Sequence, residues 1–192
     1  MTLSNNFFAV DLGATSGRTI LGTLTGNKVN FKEITRFANP IIDVFGHCHW
    51  DMLHLYNEII KGLQCVKASG TQINSIGIDT WGVDFALFGK DGNLLRNPYS
   101  YRDPHKTGAP EEFFKNKMPR DEVYNLTGIQ IIDINSLYQL YTLRKNNCSA
   151  LESASKVLFM PDAMSYLLTG EMVTEYTIAS TSQILNPRTK KL

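Results

Sequence analysis

Asp11 closes an apolar run, Phe7-Phe8-Ala9-Val10, and is followed at once by Leu12-Gly13-Ala14-Thr15-Ser16-Gly17-Arg18. A carboxylate at a strand end can hold a hydrated divalent cation, which is hard and prefers oxygen ligands. The small residues Gly13, Ala14 and Gly17 leave backbone N–H groups open to form a nest for phosphate oxygens. Arg18 adds a cation that can neutralise charge on the same phosphates. Carboxylate, amides and guanidinium within eight residues suggest a polyphosphate site. The plainer alternative is a tight turn with glycine supplying positive φ. The spacing is neither that of a P-loop nor that of a dinucleotide fingerprint.

A second cluster lies at Gly77-Ile78-Asp79-Thr80-Trp81-Gly82-Val83-Asp84-Phe85. Trp81 offers a flat apolar face on which sugar C–H groups can pack, or else it belongs to the core. Gly82 admits close approach of a ligand to the backbone, and Asp84 can accept paired hydroxyls or cap a turn. Tyr101-Arg102-Asp103 adds a charged triplet after an extended segment with Pro98. Its charges either join the pocket or pair in solvent for less than ~1 kcal/mol. His47-Cys48-His49 reads as a loop rather than a metal site, because neighbouring side chains diverge and no second ligand cluster comes after it.

The elements that must position these groups follow from periodicity and punctuation. After the strand ending at Asp11, residues 18–24 and 29–34 read as strands around a Gly26-Asn27 turn. A loop through Asn39-Pro40 runs to Trp50. Asp51 is a candidate N-cap for a helix reaching Ala68, with Tyr56, Ile59, Ile60, Leu63 and Val66 on one face. Residues 73–79 read as a buried strand, parallel to an earlier one because a helix returns the chain. That pairing would bring Asp11 and Asp79 to one edge of the sheet, where ligands gather in α/β folds. Residues 85–88 and 157–160 read as further strands. Helices are expected at 119–127, from Asn135 or Ser136 to Asn146, and at 161–168. Residues 174–184 are Ser/Thr-rich and read as strand then loop.

The chain has 192 residues, 43% of them hydrophobic, which is enough for a packed core. A net charge of +1 points to no nucleic-acid partner. Three widely spaced cysteines, Cys48, Cys65 and Cys148, form neither a disulfide framework nor a zinc spacing. No signal peptide or membrane-length apolar run is visible. A cytoplasmic enzyme or binding protein is expected.

These stretches resemble the FGGY carbohydrate kinases, and within them the rhamnulokinases. The carriers are Ala9 to Arg18, Ser75 to Phe85 and Tyr101-Arg102-Asp103. Further along, Thr127-Gly128-Ile129-Gln130, Asn135 to Leu140, Met160-Pro161-Asp162, Tyr166 to Gly170 and Glu175 to Gln183 also fit. The resemblance implies a ribonuclease-H-like (actin-like ATPase) α/β fold. Its mixed sheet opens βββαβ with flanking helices and forms the first lobe of two. It implies ATP-dependent phosphorylation of L-rhamnulose on its 1-hydroxyl. Ala14, Thr15, Ser16, Gly17 and Arg18 would face the ATP phosphates and Asp11 would position hydrated Mg²⁺. Gly82 would contact the sugar through its backbone, with Trp81, Asp84, Arg102 and Asp103 as further pocket residues.

In this family the general base is an aspartate in an Asp-Thr motif preceded by His or Gly, and no such motif occurs here. Residues 1–192 are therefore expected to be an incomplete N-terminal kinase domain, inactive alone and prone to self-association. Another FGGY sugar kinase (for L-fuculose, xylulose or glycerol), a non-catalytic sugar- or nucleotide-binding module and an actin-like ATPase are the alternatives.

Overall fold

The computed structural model describes residues 4–191. The strands are β1 Ser4–Leu12, β2 Ser16–Thr25, β3 Lys28–Ala38, β4 Ile41–Val44, β5 His47–Trp50, β6 Ser75–Asp79, β7 Phe85–Phe88 and β8 Lys156–Phe159. The helices are α1 Met52–Ala68, α2 Ala109–Asn116, α3 Arg120–Thr127, α4 Ser136–Lys145, α5 Ser149–Ser153, α6 Met160–Thr169 and α7 Tyr176–Ser180. The chain divides into two compact units, Met1–Ile41 with Asp51–Trp81, and Ile42–Trp50 with Gly82–Leu192.

The first unit is a four-stranded sheet in the order β3-β2-β1-β6, with β6 parallel to β1 and the other pairs antiparallel. Alternation along β1 sends Phe8, Val10 and Leu12 into the core and Asp11 to the opposite face. On the core side, α1 buries Met52, Leu55, Ile59 and Val66. Its N-terminus is capped as the sequence predicts, by Asp51 accepting the His54 N–H at 3.0 Å. Gly62 lets the helix approach β2: a Cβ there would lie 2.5 Å from the Thr19 hydroxyl. Strand β6 departs from the expected buried strand. It sits on the sheet edge and is mostly exposed, because only β1 pairs with it.

In the second unit β7 is buried along its length and pairs antiparallel with β8. Phe85, Leu87, Leu143, Phe159, Ala179 and Leu185 form one cluster beneath them. The segment that reads as a loop to Trp50 instead holds the β4–β5 hairpin, turning at Phe45 and Gly46, both with positive φ. Short strands without regular alternation escape a periodicity test. The described strands form three separate sheets rather than one. Helices α2 and α5 have no counterpart among the expected elements. Residues 174–184 hold α7 rather than a strand, because Glu175 accepts the N–H groups of Thr177 and Ile178 and starts a helix. Among the described residues, no helix is long and apolar enough to cross a membrane.

Candidate functional site

The first group of predicted residues lies where β1 turns into β2. Asp11 faces Arg18 across the antiparallel pair and Asp79 across the parallel one, so all three share a register row. The two carboxylates therefore reach one edge, as their strand-end positions suggest. Arg18 does not point away to wait for an anion. Its Nε donates to Asp11 Oδ2 at 2.8 Å, and Nη2 lies 2.7 Å from the same oxygen. The pair is about two-fifths exposed on each side, so solvent screens it.

The turn itself differs from a simple nest. The Gly13 N–H already donates to the Ser16 carbonyl at 2.9 Å. Asn39 ties the other side, its N–H to Thr15 O and its Nδ2 to Gly13 O. Among the described residues, the N–H groups of Ala14 and Thr15 carry no hydrogen bond and remain open to an anion. Ser16 and Gly17 belong to β2. Neither Gly13 nor Gly17 has positive φ, so turn conformation is not what requires them. Each is required by close approach. A Cβ on Gly13 would lie 2.9 Å from the Ser16 carbonyl, and one on Gly17 would lie 2.4 Å from the Phe37 ring. Gly17 is thus a packing glycine on the core side of the sheet.

A hydrated magnesium ion carried by phosphates fits this chemistry. Such an ion needs one or two carboxylates and keeps several waters. Asp11 and Asp79 supply two, and Asp11 Oδ1 is not engaged by Arg18. No group of three or more His, Cys, Asp or Glu side chains able to hold a metal directly occurs among the described residues.

The second group lies in the other unit, except for half-buried Trp81, which ends the first. Gly82 O accepts the Asp84 N–H at 2.9 Å, with Val83 between them at φ 68°. This γ-turn puts a β-branched residue in a strained conformation, which persists only when its surroundings hold it. Val83 O accepts the Ser136 hydroxyl at 2.6 Å and Gln139 Nε2 at 3.3 Å. A Cβ on Gly82 would sit 3.0 Å from the Thr181 hydroxyl, so the C-terminal end of α7 closes against this turn.

Asp84, a candidate for binding sugar hydroxyls on its sequence, is fully buried instead. Its Oδ2 accepts Trp50 Nε1 at 2.6 Å and the Tyr101 N–H at 2.9 Å, and its Oδ1 accepts Gln139 Nε2 at 2.9 Å. The carboxylate joins β5, the turn and α4 from inside. Asp103 is likewise fully buried. It caps the 3₁₀ turn at Pro104–Lys106 through the His105 N–H and accepts the Cys48 N–H and the Nδ1 atoms of His47 and His105. Burial pushes its pKa up, but the His105 and Cys48 amides and both imidazoles outweigh that and hold it below the ordinary value. Of the triplet, Arg102 alone is exposed, its guanidinium 5.5 Å from the Tyr101 ring centroid.

Sequence reasoning missed Trp50, Ser136 and Gln139, the partners that fix the Gly82–Asp84 turn. Nothing in their local spacing marks them, since each meets the turn only through tertiary packing. The fold and its register row define the first lobe of an actin-like ATPase fold, α/β with a mixed sheet. The chain belongs to the FGGY family of carbohydrate kinases, whose N-terminal domain matches residues 7–191.

Among relatives, the chain is 63% identical over 190 residues to a protein named rhamnulokinase from Bacteroides thetaiotaomicron, covering 99% of this chain and 39% of that protein. It is 44% identical to the rhamnulokinase of Lactiplantibacillus plantarum, over 95% of this chain and 37% of that one. The chain thus spans about two fifths of the length of these relatives. Solved structures that share the fold include a xylulose kinase from Lactobacillus acidophilus, with TM-score 0.84, 21% identity and coverage of 97% of this chain and 38% of that one. A gluconate kinase from the same organism has TM-score 0.85 at 20% identity, covering 98% and 38%.

Proposed function

We propose that residues 1–192 supply the phosphate- and sugar-facing part of a two-lobed kinase that phosphorylates L-rhamnulose on its 1-hydroxyl, with ATP as donor. The observation that carries this reading is the 63% identity, over nearly the whole chain, to a protein named rhamnulokinase. The geometry supports it. The open amides of Ala14 and Thr15 would hold phosphate oxygens, with Ser16, Gly17 and Arg18 beside them at the start of β2. Asp11, with Asp79 beside it, would orient waters of a hydrated cation. When bound, Mg²⁺ would neutralise charge on the transferring phosphoryl group. Arg18 would exchange its bond to Asp11 for one to phosphate.

On the sugar side, Gly82 would meet the substrate through its backbone, Trp81 would give an apolar wall and Arg102 an exposed donor. Asp84 would steady the Gly82 turn from inside the second unit, and Asp103 the segment that follows Arg102. A base outside these residues would accept the hydroxyl proton, so the isolated chain is expected to be inactive. Free Cys48, Cys65 and Cys148 favour a cytoplasmic setting. Phe7 and Phe31, both exposed and in one register row with Gly22, support self-association of the chain alone.

The test is coupled detection of ADP release. A longer protein carrying this chain is expected to turn over L-rhamnulose and to leave L-fuculose, xylulose and glycerol nearly untouched. Preference for one of those sugars would replace the substrate. Sugar-dependent turnover by the 192-residue chain itself would refute the need for a base from elsewhere, and sugar binding without turnover in the longer protein would favour a non-catalytic module.

A further inference from the structure

The register row that holds Asp79, Asp11 and Arg18 continues one strand further. Arg18 on β2 lies directly opposite Arg36 on β3. Four charged residues therefore cross the sheet in one line, two carboxylates and then two guanidinium groups. All four lie on the face away from α1. Their neighbours Thr19 and Thr35 share a 2.6 Å hydroxyl contact on the opposite, helix-facing side, and Phe37 meets His54 of α1 edge-on there.

Like charges directly opposite in a sheet are destabilising. The fold tolerates this pair by adding a counter-ion through an irregularity. The register shifts between Thr19 and Ile20: Thr19 pairs with Thr35, but Ile20 pairs with Glu33. Ile34 is the extra, bulged residue, and without it Glu33 would face α1. With it, Glu33 returns to the arginine face and takes Arg36 in a two-point pair, Nε to Oε1 at 3.1 Å and Nη2 to Oε2 at 2.5 Å. Arg36 and Glu33 remain about half exposed, so the pair is open to exchange with a stronger anion.

We propose that Arg36 is a second phosphate-binding cation of this site, working beside Arg18 and held by Glu33 when no anion is bound. The inference rests on the reading of the β1–β2 turn as a phosphate site. It enlarges that site outward across β2 and β3. The ligand class is a polyphosphate, such as the chain of a nucleoside di- or triphosphate. It would be long enough to touch the turn amides and both guanidinium groups, whose strands lie about 5 Å apart. Guanidinium groups suit it because each offers a planar pair of donors.

The experiment is calorimetric titration of the whole 192-residue chain with inorganic triphosphate, without metal and at low salt. Arg36→Gln is expected to raise the dissociation constant roughly five- to tenfold. Lys28→Gln, the same charge change at the far end of β3, is expected to alter it by less than about twofold. Glu33→Gln, which frees Arg36, should lower it roughly threefold. Circular dichroism confirms that each variant stays folded. If Arg36→Gln behaves like Lys28→Gln while Arg18→Gln still abolishes binding, Arg36 is no part of the site and the turn reading stands. If the unmodified chain binds no triphosphate, both fall.

Discussion

Replacing Asp84 with asparagine separates a buried support from a ligand contact. Three donors reach the carboxylate: Trp50 Nε1, the Tyr101 N–H and Gln139 Nε2. Asparagine keeps one acceptor oxygen and turns an NH₂ group toward the remaining donor. The charge-assisted character of the retained bonds is lost, about 1 kcal/mol apiece, and one buried donor is left facing another, for about 1–3 kcal/mol more. The expected loss is about 3–5 kcal/mol, a large share of the stability of an ordinary domain. A ligand-facing surface residue would change stability by about 0.5 kcal/mol or less.

The assay is urea unfolding followed by far-UV circular dichroism, with midpoint and slope both fitted. Trp50→Phe provides the graded partner, because it removes one donor while the Tyr101 N–H still serves the same oxygen. Its expected cost is about 1–3 kcal/mol, smaller than that of Asp84→Asn. A cost below about 1 kcal/mol for Asp84→Asn, or a larger effect from Trp50→Phe, would refute the reasoning. Should Asp84→Asn fail to fold, the Trp50→Phe value still decides.

Three further outcomes are expected. Gly62→Ala should destabilise by about 1–3 kcal/mol despite alanine's better helix propensity, since its Cβ would lie 2.5 Å from the hydroxyl of buried Thr19; Thr19→Ala in the same chain should restore only part of the loss, because the Thr19 Cβ that remains would still lie 2.9 Å away, and no recovery in the double variant's melt would contradict the packing account. Asp11→Asn should bind inorganic triphosphate about threefold more tightly without metal, because it frees Arg18, and should lose any gain on adding Mg²⁺; an unchanged titration would separate the ion pair from anion binding. Burial lowers the pKa of His105 below its ordinary 6.5, with the Asp103 hydrogen bond pulling the other way. The folded chain therefore takes up that proton less readily than the unfolded chain. The stability is full above about pH 6.5 and is lost as pH falls toward the lowered value. The urea midpoint should drop between pH 7.5 and 5.5, and His105→Asn should remove part of that slope. The rest belongs to His49, which burial also lowers.

The chemistry of this chain is local enough to read from its order of residues. Asp11 and Asp79 close apolar strands, and the helix between them forces those strands parallel, so their shared edge follows from connectivity. The Asp51 cap and the α1 stripe obey short-range rules in the same way. What the sequence could not settle is where each polar group finds its partner. Asp84 and Arg102 look equally available along the chain, yet one is fully buried among three donors and the other is exposed. Gly17 looks like a flexible turn glycine and is one that a ring must pass. Trp50 and Arg36 carry no motif, and the stretch that holds Gln139 does not reveal its partner, because burial, the bulge at Ile34 and cross-strand register arise only when distant segments pack. Residue type and spacing determined which chemistry is possible here. Tertiary structure decided which side chains stay free to perform it, since a donor or carboxylate already satisfied inside the fold is no longer offered to a ligand.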